Sequence, residues 1–350
     1  DAADSKPMTL QGLNLVMTIN ADSEAPGWYQ IDTEFGREPQ ARVAVNGRVN
    51  LDTLEADITK ADIVADVREG NIGDLPPVLQ QLFEQYDASG RLTITANGRF
   101  SVSDPASGSG SAEIGLEEFN LAFDDYQLPI PTAQISARLE QKVAILQTFS
   151  INTLGGVINA RGSIPLDGSA PGQFTWEASK VDLEDMLRTK PSDKPPDLAG
   201  RVSGSGNVQV TAPDYQQSLG GSGEIELRDG RLVSIPIVRQ LANAMDVAGK
   251  LVGAKRGHWA NVSFDLTSDR INVTKSEIVT DFLAARGGGD IMYTGDLDLK
   301  MNAGPLEKLQ SMLGKVGDIF GKITDGLVTY RIRGTLGDPK VNVQPLGIGG

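Results

Sequence analysis

The sequence contains no cysteine. This excludes disulfide bonds, thiolate nucleophiles and thiolate metal ligands. No stretch approaches the ~18 consecutive apolar residues that a membrane-spanning helix needs. The first residues, DAADSKPMTL, also lack the basic segment and apolar core of a signal peptide. We therefore interpret the chain as a mature or excised piece of a protein.

Aromatic residues are scarce, at 5% of the chain, whereas glycine occurs 40 times among 350 residues. This balance favours many short strands joined by tight turns over a large mixed core. The formal net charge of −14 repels phosphate backbones and anionic membrane surfaces, so nucleic-acid binding is disfavoured. An acidic balance otherwise indicates solubility alone.

Few residues offer catalytic chemistry. The sole histidine, His258 in KRGHWANV, has no serine or acidic partner in a recognisable motif, so we expect a surface or loop histidine. Neighbouring carboxylates would act as acid and base only across a cleft, and we expect solvated side chains instead. The pairs considered are Glu117-Glu118, Asp124-Asp125 and Glu184-Asp185. We predict no enzyme activity, no metal site and no cofactor.

Three glycine clusters, at 204–206, 220–223 and 287–289, invite comparison with phosphate-binding loops. None is followed by the Lys-Ser/Thr of a P-loop, and none has the strand-to-helix context of a dinucleotide fingerprint. Glycines within antiparallel strands more often permit a bulge or the close approach of two backbones. The clusters therefore indicate strands.

Strict alternation of apolar and polar residues predicts half-buried strands along most of the chain. The clearest examples run from Ala41 to Asp52 and from Leu92 to Val102. At Glu117-Glu118 the apolar phase slips by one residue, which predicts a β-bulge. Because turn residues separate neighbouring strands closely, antiparallel pairing is expected throughout.

Helical spacing of apolar residues appears in three places, near 76–86, 236–252 and 305–323. The last two have many polar residues on their outer faces, so we expect them to cover an end or rim of a sheet. The polar, proline-rich segment KPSDKPP at 190–196 is the predicted boundary. It separates a β-rich segment, 1–190, from a β module, 197–350.

The segment GSGEIELRDGRLVSIPIV, the helix after it, a block of short strands, a second helix and the closing TYRIRGTLGDPKVNVQP form an ordered series. From Gly220 to Pro345 this series resembles the C-terminal module of AsmA-like proteins, relatives of TamB. The resemblance implies a mainly β fold, a long curved antiparallel sheet that forms a repeating β-groove, with a few amphipathic helices. Composition alone leaves a closed sandwich equally open.

The resemblance further implies a periplasmic lipid conduit that holds phospholipid acyl chains between the inner and outer membranes. It implies an inner-membrane anchor N-terminal to this sequence and contacts with envelope membrane proteins. Two other functions stay open: an outer-membrane protein assembly factor acting by β-augmentation, and a glycan-binding or glycan-cleaving β protein. The residues predicted to line a lipid-binding groove are Val43, Val45, Val49, Leu92, Ile94, Phe100, Val208, Ile225 and Leu227.

Overall fold

The computed structural model describes residues 15–23, 25–37, 41–68, 72, 77–123, 126–184, 199–232, 235–246, 257–306 and 328–344. Within them the chain forms 18 strands in one antiparallel sheet, each strand hydrogen-bonded to the next in the sequence. No second sheet of described strands packs on a sheet face. The mainly β prediction is confirmed, and the sheet is open, not a closed sandwich.

The chain divides into two compact units, and the division falls within β9 (Gly156–Pro165). Unit 1 contains residues 1–153 and 161–169. Its other elements are β1 (Leu15–Ala21), β2 (Trp28–Arg37), β3 (Ala41–Asn50), β4 (Glu55–Asp66), α1 (Pro77–Gln85), β5 (Ser89–Ser101), β6 (Ser109–Phe123), β7 (Tyr126–Glu140) and β8 (Val143–Thr153).

Unit 2 contains residues 154–160 and 170–350. Its elements are β10 (Gly172–Asp182), β11 (Arg201–Val210), β12 (Gly220–Gly230), α2 (Pro236–Ala244), β13 (His258–Leu266), β14 (Arg270–Val279), β15 (Leu283–Met292), β16 (Asp296–Pro305), β17 (Val328–Thr335) and β18 (Pro339–Val343). The predicted boundary at 190–196 lies outside the described residues and stays a prediction.

The predicted bulge is present in β6. Against β5, Arg91 faces Glu117 whereas Ser89 faces Asn120, so β6 contains one extra residue at this point. Glu118 has a φ of 47°, the left-handed conformation that often accompanies such an insertion. The bulge changes the phase of the strand and turns Phe119 into the core of unit 1.

Helix α1 covers one end of the unit 1 sheet. Its Phe83 is buried and meets Phe119 edge to face, with ring centroids 5.6 Å apart. Beneath the helix, Ala41, Ala65 and Leu92 lie opposite one another on adjacent strands. Because Ala41 and Ala65 are small, the helix can pack close to these strands. Helix α1 thus covers this end of the unit 1 sheet.

Helix α2 covers one end of the unit 2 sheet, as predicted for an amphipathic helix here. Val238, Leu241 and Ala242 are buried against the sheet, while Arg239 and Asn243 are exposed. The helix ends at Ala244, earlier than the predicted 252, and Asp246 already has a φ of 59°. Residues 247–256, and most of the predicted helix at 305–323, lie outside the described residues.

None of the described helices is long and apolar enough to cross a membrane. The described part of α2 has the polar outer face that the sequence predicted.

Candidate functional site

The candidate site in unit 1 is a sheet face built from apolar cross-strand rows. Because directly opposite residues in antiparallel strands point to the same side, the pairing registers define each row. One row crosses seven strands, from β2 to β8, and consists of Phe35, Val43, Ile63, Ile94, Ile114, Ile135 and Phe149. With strands about 4.8 Å apart, six steps give a length of about 29 Å.

Two further rows continue this face away from α1. The first consists of Thr33, Val45, Ala61, Ala96, Ala112, Ala137 and Leu146. The second consists of Ile31, Gly47, Ile58, Gly98, Gly110, Leu139 and Ala144. We call these three rows the open apolar face. They contain no charged residue, and every member is half-buried.

The other side of the same strands is polar. Asn46 Nδ2 donates to Asp32 Oδ1 at 2.9 Å, and Lys60 Nζ lies 2.6 Å from Asp62 Oδ2. The hydrogen bond from Lys60 holds the pKa of the Asp62 carboxyl below its usual range. The three rows themselves contain no charged residue, which leaves the open apolar face free for an apolar ligand.

All six predicted groove residues of unit 1 share this side of the sheet. Val43 and Ile94 lie in one row, and Val45 lies in the next. Val49 and Phe100 share a short row at the far end through Ala56. Leu92, in contrast, is buried beneath α1 and is part of the packed core.

Sequence reasoning missed five members of the first row, the one from Phe35 to Phe149, as site residues. They are Phe35, Ile63, Ile114, Ile135 and Phe149. Alternation indicated apolar strands around Ile135 and Phe149, but alternation alone does not say which strands lie side by side. The register supplies that information, since one residue of slip would turn a strand to the other face.

In unit 2 the three predicted residues also share one face. Val208 lies opposite Gly221 of β12. Ile225 and Leu227 lie four and six residues after Gly221 on the same strand, so they point to the same side as Val208. The exposed fraction is 37% for Ile225 but only 7% for Leu227, which packs in the core beneath α2. The two neighbouring positions therefore sit in different surroundings, one at an open surface and one in a packed core.

Glycines on this face make room for aromatic rings. Gly206 and Gly223 are paired across β11 and β12, and a Cβ on Gly223 would lie 2.7 Å from the Phe264 ring. A Cβ on Gly206 would lie 2.9 Å from Nε1 of Trp176. All three glycine clusters lie within strands, in β11, β12 and β15, so the prediction of close approach instead of a phosphate loop is confirmed.

A mostly polar cavity of 410 Å³ lies in unit 1, and its lining residues include Ile31 and Gly47 of the open apolar face. Its lining includes Asn20, Gln30, Asp32, Asn46 and Arg48, and Asp32 is the only carboxylate among the lining residues that the structure describes. Arg48 also makes a cation–π contact with Trp28, and its guanidinium carbon lies 4.7 Å from the ring centroid. A cleavage mechanism that needs two facing carboxylates gains no support here.

The sequence predictions for the carboxylate pairs and for the histidine have different outcomes. Glu118 is largely exposed and accepts from Arg68 at 2.8 Å, so the expected solvated role holds for this residue. Asp124, Asp125 and Asp185 lie outside the described residues. His258 is not a surface residue: its exposed fraction is 0%, so that prediction is wrong.

The burial of His258 follows from its partners. Leu232 N–H donates to His258 Nδ1 at 3.0 Å, and the Phe282 ring packs edge to face at 6.4 Å. Nε2 has no hydrogen-bond partner among the described residues, and Asp281 Oδ2 lies 3.7 Å away. Burial lowers the pKa of His258 below its usual value, despite the opposing effect of Asp281.

In comparisons with models of known families, with curated proteins and with solved structures, nothing matches this chain.

Proposed function

We propose that this chain holds the acyl chains of phospholipids on its open apolar face, as a segment of an AsmA-like lipid-transport protein of the cell envelope. The observation that carries the proposal is the row of seven apolar side chains from Phe35 to Phe149, half-buried and free of charge. An acyl chain occupies one leaflet of a hydrocarbon core that is about 30 Å thick. The row, at about 29 Å, is longer than one such chain.

The weak apolar contacts that this face offers suit a ligand that slides along it. Each buried methylene is worth about 0.8 kcal/mol, so an acyl chain gains affinity from many weak contacts without a polar anchor. A face without ionic anchors offers similar contacts at successive positions along each row. The same arrangement gives a catalytic group no role, since holding and passing a lipid breaks no covalent bond.

The periplasmic location, the inner-membrane anchor and contacts with envelope membrane proteins belong to this proposal. The assembly-factor alternative is favoured by one observation, the apolar edge strand β1, in which Val16, Met17 and Ile19 are exposed. Client strands could add to such an edge by β-augmentation. Lipid that co-purifies with the protein, identified by mass spectrometry of organic extracts, supports the conduit over this alternative.

The test places a charge on the open apolar face. In Val45→Asp and Ile135→Asp the carboxylate can still reach water, because both positions are half-buried at an open surface. We expect circular dichroism to stay that of the wild type, and crosslinking to a photoactivatable fatty acid to fall at least tenfold. Each carboxylate would have to be desolvated by the bound chain, which strongly disfavours binding.

Gln134→Asp is the matched control, since Gln134 adjoins Ile135 on β7 and is exposed on the opposite face, opposite Gly115 and Ser150. This variant should crosslink as the wild type does. Wild-type crosslinking in folded Val45→Asp and Ile135→Asp would rule out the proposed function.

A further inference from the structure

The edge strand β1 lacks the features that usually prevent edge-to-edge pairing. Among the described residues it pairs with β2 alone, and its sequence LVMTINA contains neither a charged residue nor a proline. Its exposed fractions are 64% for Val16, 54% for Met17 and 53% for Ile19. Natural edges are blunted by charge, proline or short length, and β18, with Pro339 and Lys340 in five residues, has all three.

The backbone of β1 is oriented for a further strand. Asp22 N–H donates to the carbonyl oxygen of Trp28 at 2.9 Å, so this pair is a hydrogen-bonded one. Such pairs recur at every second residue of an antiparallel ladder. Val16, Thr18 and Asn20 therefore direct their backbone groups to β2. The groups of Leu15, Met17, Ile19 and Ala21 point to the outer edge.

The strand is complementary to itself about Thr18. A two-fold axis at Thr18 places Leu15 opposite Ala21 of the second copy and Met17 opposite Ile19. These are the residues whose backbone groups point outward, so all of their donors and acceptors find partners. Met17 then meets Ile19 of the second copy on one face, and no like charges are opposed because β1 has no charge.

We propose that β1 is a self-association surface, through which two copies of this chain pair antiparallel about Thr18 and continue the sheet. The two-fold arrangement uses both β1 edges, so it closes as a dimer and does not grow into fibres. A contact between two seven-residue strands is smaller than a standard interface of roughly 1,600 Å². Association is therefore reversible and depends on concentration. This inference does not rest on the proposed lipid function.

The absence of cysteine makes a direct test available. In the two-fold pair Thr18 faces Thr18 of the second copy at a non-hydrogen-bonded position, where Cα atoms are about 4.5 Å apart and can be bridged. We expect Thr18→Cys to form a disulfide-linked dimer under mild oxidation. Thr148→Cys is the control, because Thr148 is exposed but lies on β8, an interior strand.

A second pair of variants tests the backbone geometry. Met17→Pro removes a donor at the outer edge and leaves the β1–β2 hydrogen bonds intact, so it should abolish the crosslink when combined with Thr18→Cys. Met17→Val keeps that donor and should crosslink as Thr18→Cys alone does. Failure of Thr18→Cys to dimerise, equal dimer from Thr148→Cys, or an undiminished crosslink in the Met17→Pro double variant would each overturn the inference.

Discussion

Leu227→Asp is expected to unfold unit 2, whereas Ile225→Asp, two residues earlier on the same face of β12, is expected to leave it folded. Leu227 packs beneath α2 among Leu241, Leu283 and Ala303, where a carboxylate would have no partner. Burying an unpaired charge costs several kcal/mol, comparable to the roughly 5–15 kcal/mol that stabilise a whole domain. At Ile225 the carboxylate can reach water.

Thermal unfolding followed by near-ultraviolet circular dichroism checks this prediction. Leu227→Asp should lose the cooperative transition of unit 2, and Ile225→Asp should shift its midpoint by only a few degrees. Leu227→Ala separates charge from volume, since a cavity alone costs about 2–5 kcal/mol. A wild-type transition in Leu227→Asp would mean that α2 does not close this end of the sheet.

The stability of the protein is expected to fall as the pH drops from about 7.5 to 5.5, because of the buried histidine His258. Burial lowers the pKa of His258 in the folded state, so between its folded and unfolded pKa values the unfolded chain binds more protons. The stabilisation is fully present above the unfolded pKa of about 6.5 and is lost as the pH falls from there towards the folded pKa. Uptake of one proton on unfolding lowers the free energy of unfolding by at most about 1.4 kcal/mol for each step of one in pH.

The geometry explains why protonation is resisted. Because Nδ1 accepts from Leu232 N–H, the neutral ring has its proton on Nε2. A second proton must be added at Nδ1, where it would face another donor and break the contact that holds Leu232. Leu232 is itself buried in the same core as α2, so acid should loosen that end of unit 2.

Denaturant midpoints at pH 7.5, 6.5 and 5.5 for the wild type and His258→Asn test this. The amide oxygen of asparagine can accept from Leu232 N–H but does not titrate, so the variant should lose the slope across this range. Carboxylates with lowered pKa values, such as Asp62 and Asp298, affect the stability in a different pH range from His258. Their stabilisation is present above a pH of about 4 and is lost only below it. An equal slope in both proteins would contradict the assignment.

Alternation along the chain was sufficient to predict the strands, their antiparallel pairing and the bulge at Glu118. Each of these depends on neighbours in sequence, since the side-chain period of a strand is two and a slip in phase is visible locally. The helix at 76–86 was likewise correctly placed, within one residue of α1 at each end.

Three features depended on the tertiary structure instead. Leu92 and Ile94 have the same pattern in the sequence, yet Leu92 is buried beneath a helix, whereas Ile94 is only partly buried against the same core. His258 stands in a polar segment, but Leu232 and Phe282, distant in sequence, enclose it. The row from Phe35 to Phe149 exists because the registers of all its neighbouring strands agree, and no single strand contains that information.

The sequence by itself therefore determined the β architecture and the side of each strand that is apolar, because both follow from local periodicity. Only the tertiary structure decided which apolar positions are packed and which are open, because burial depends on what a distant segment places over a residue. In unit 1 that difference separates the core under α1 from the open apolar face on which the proposed function depends.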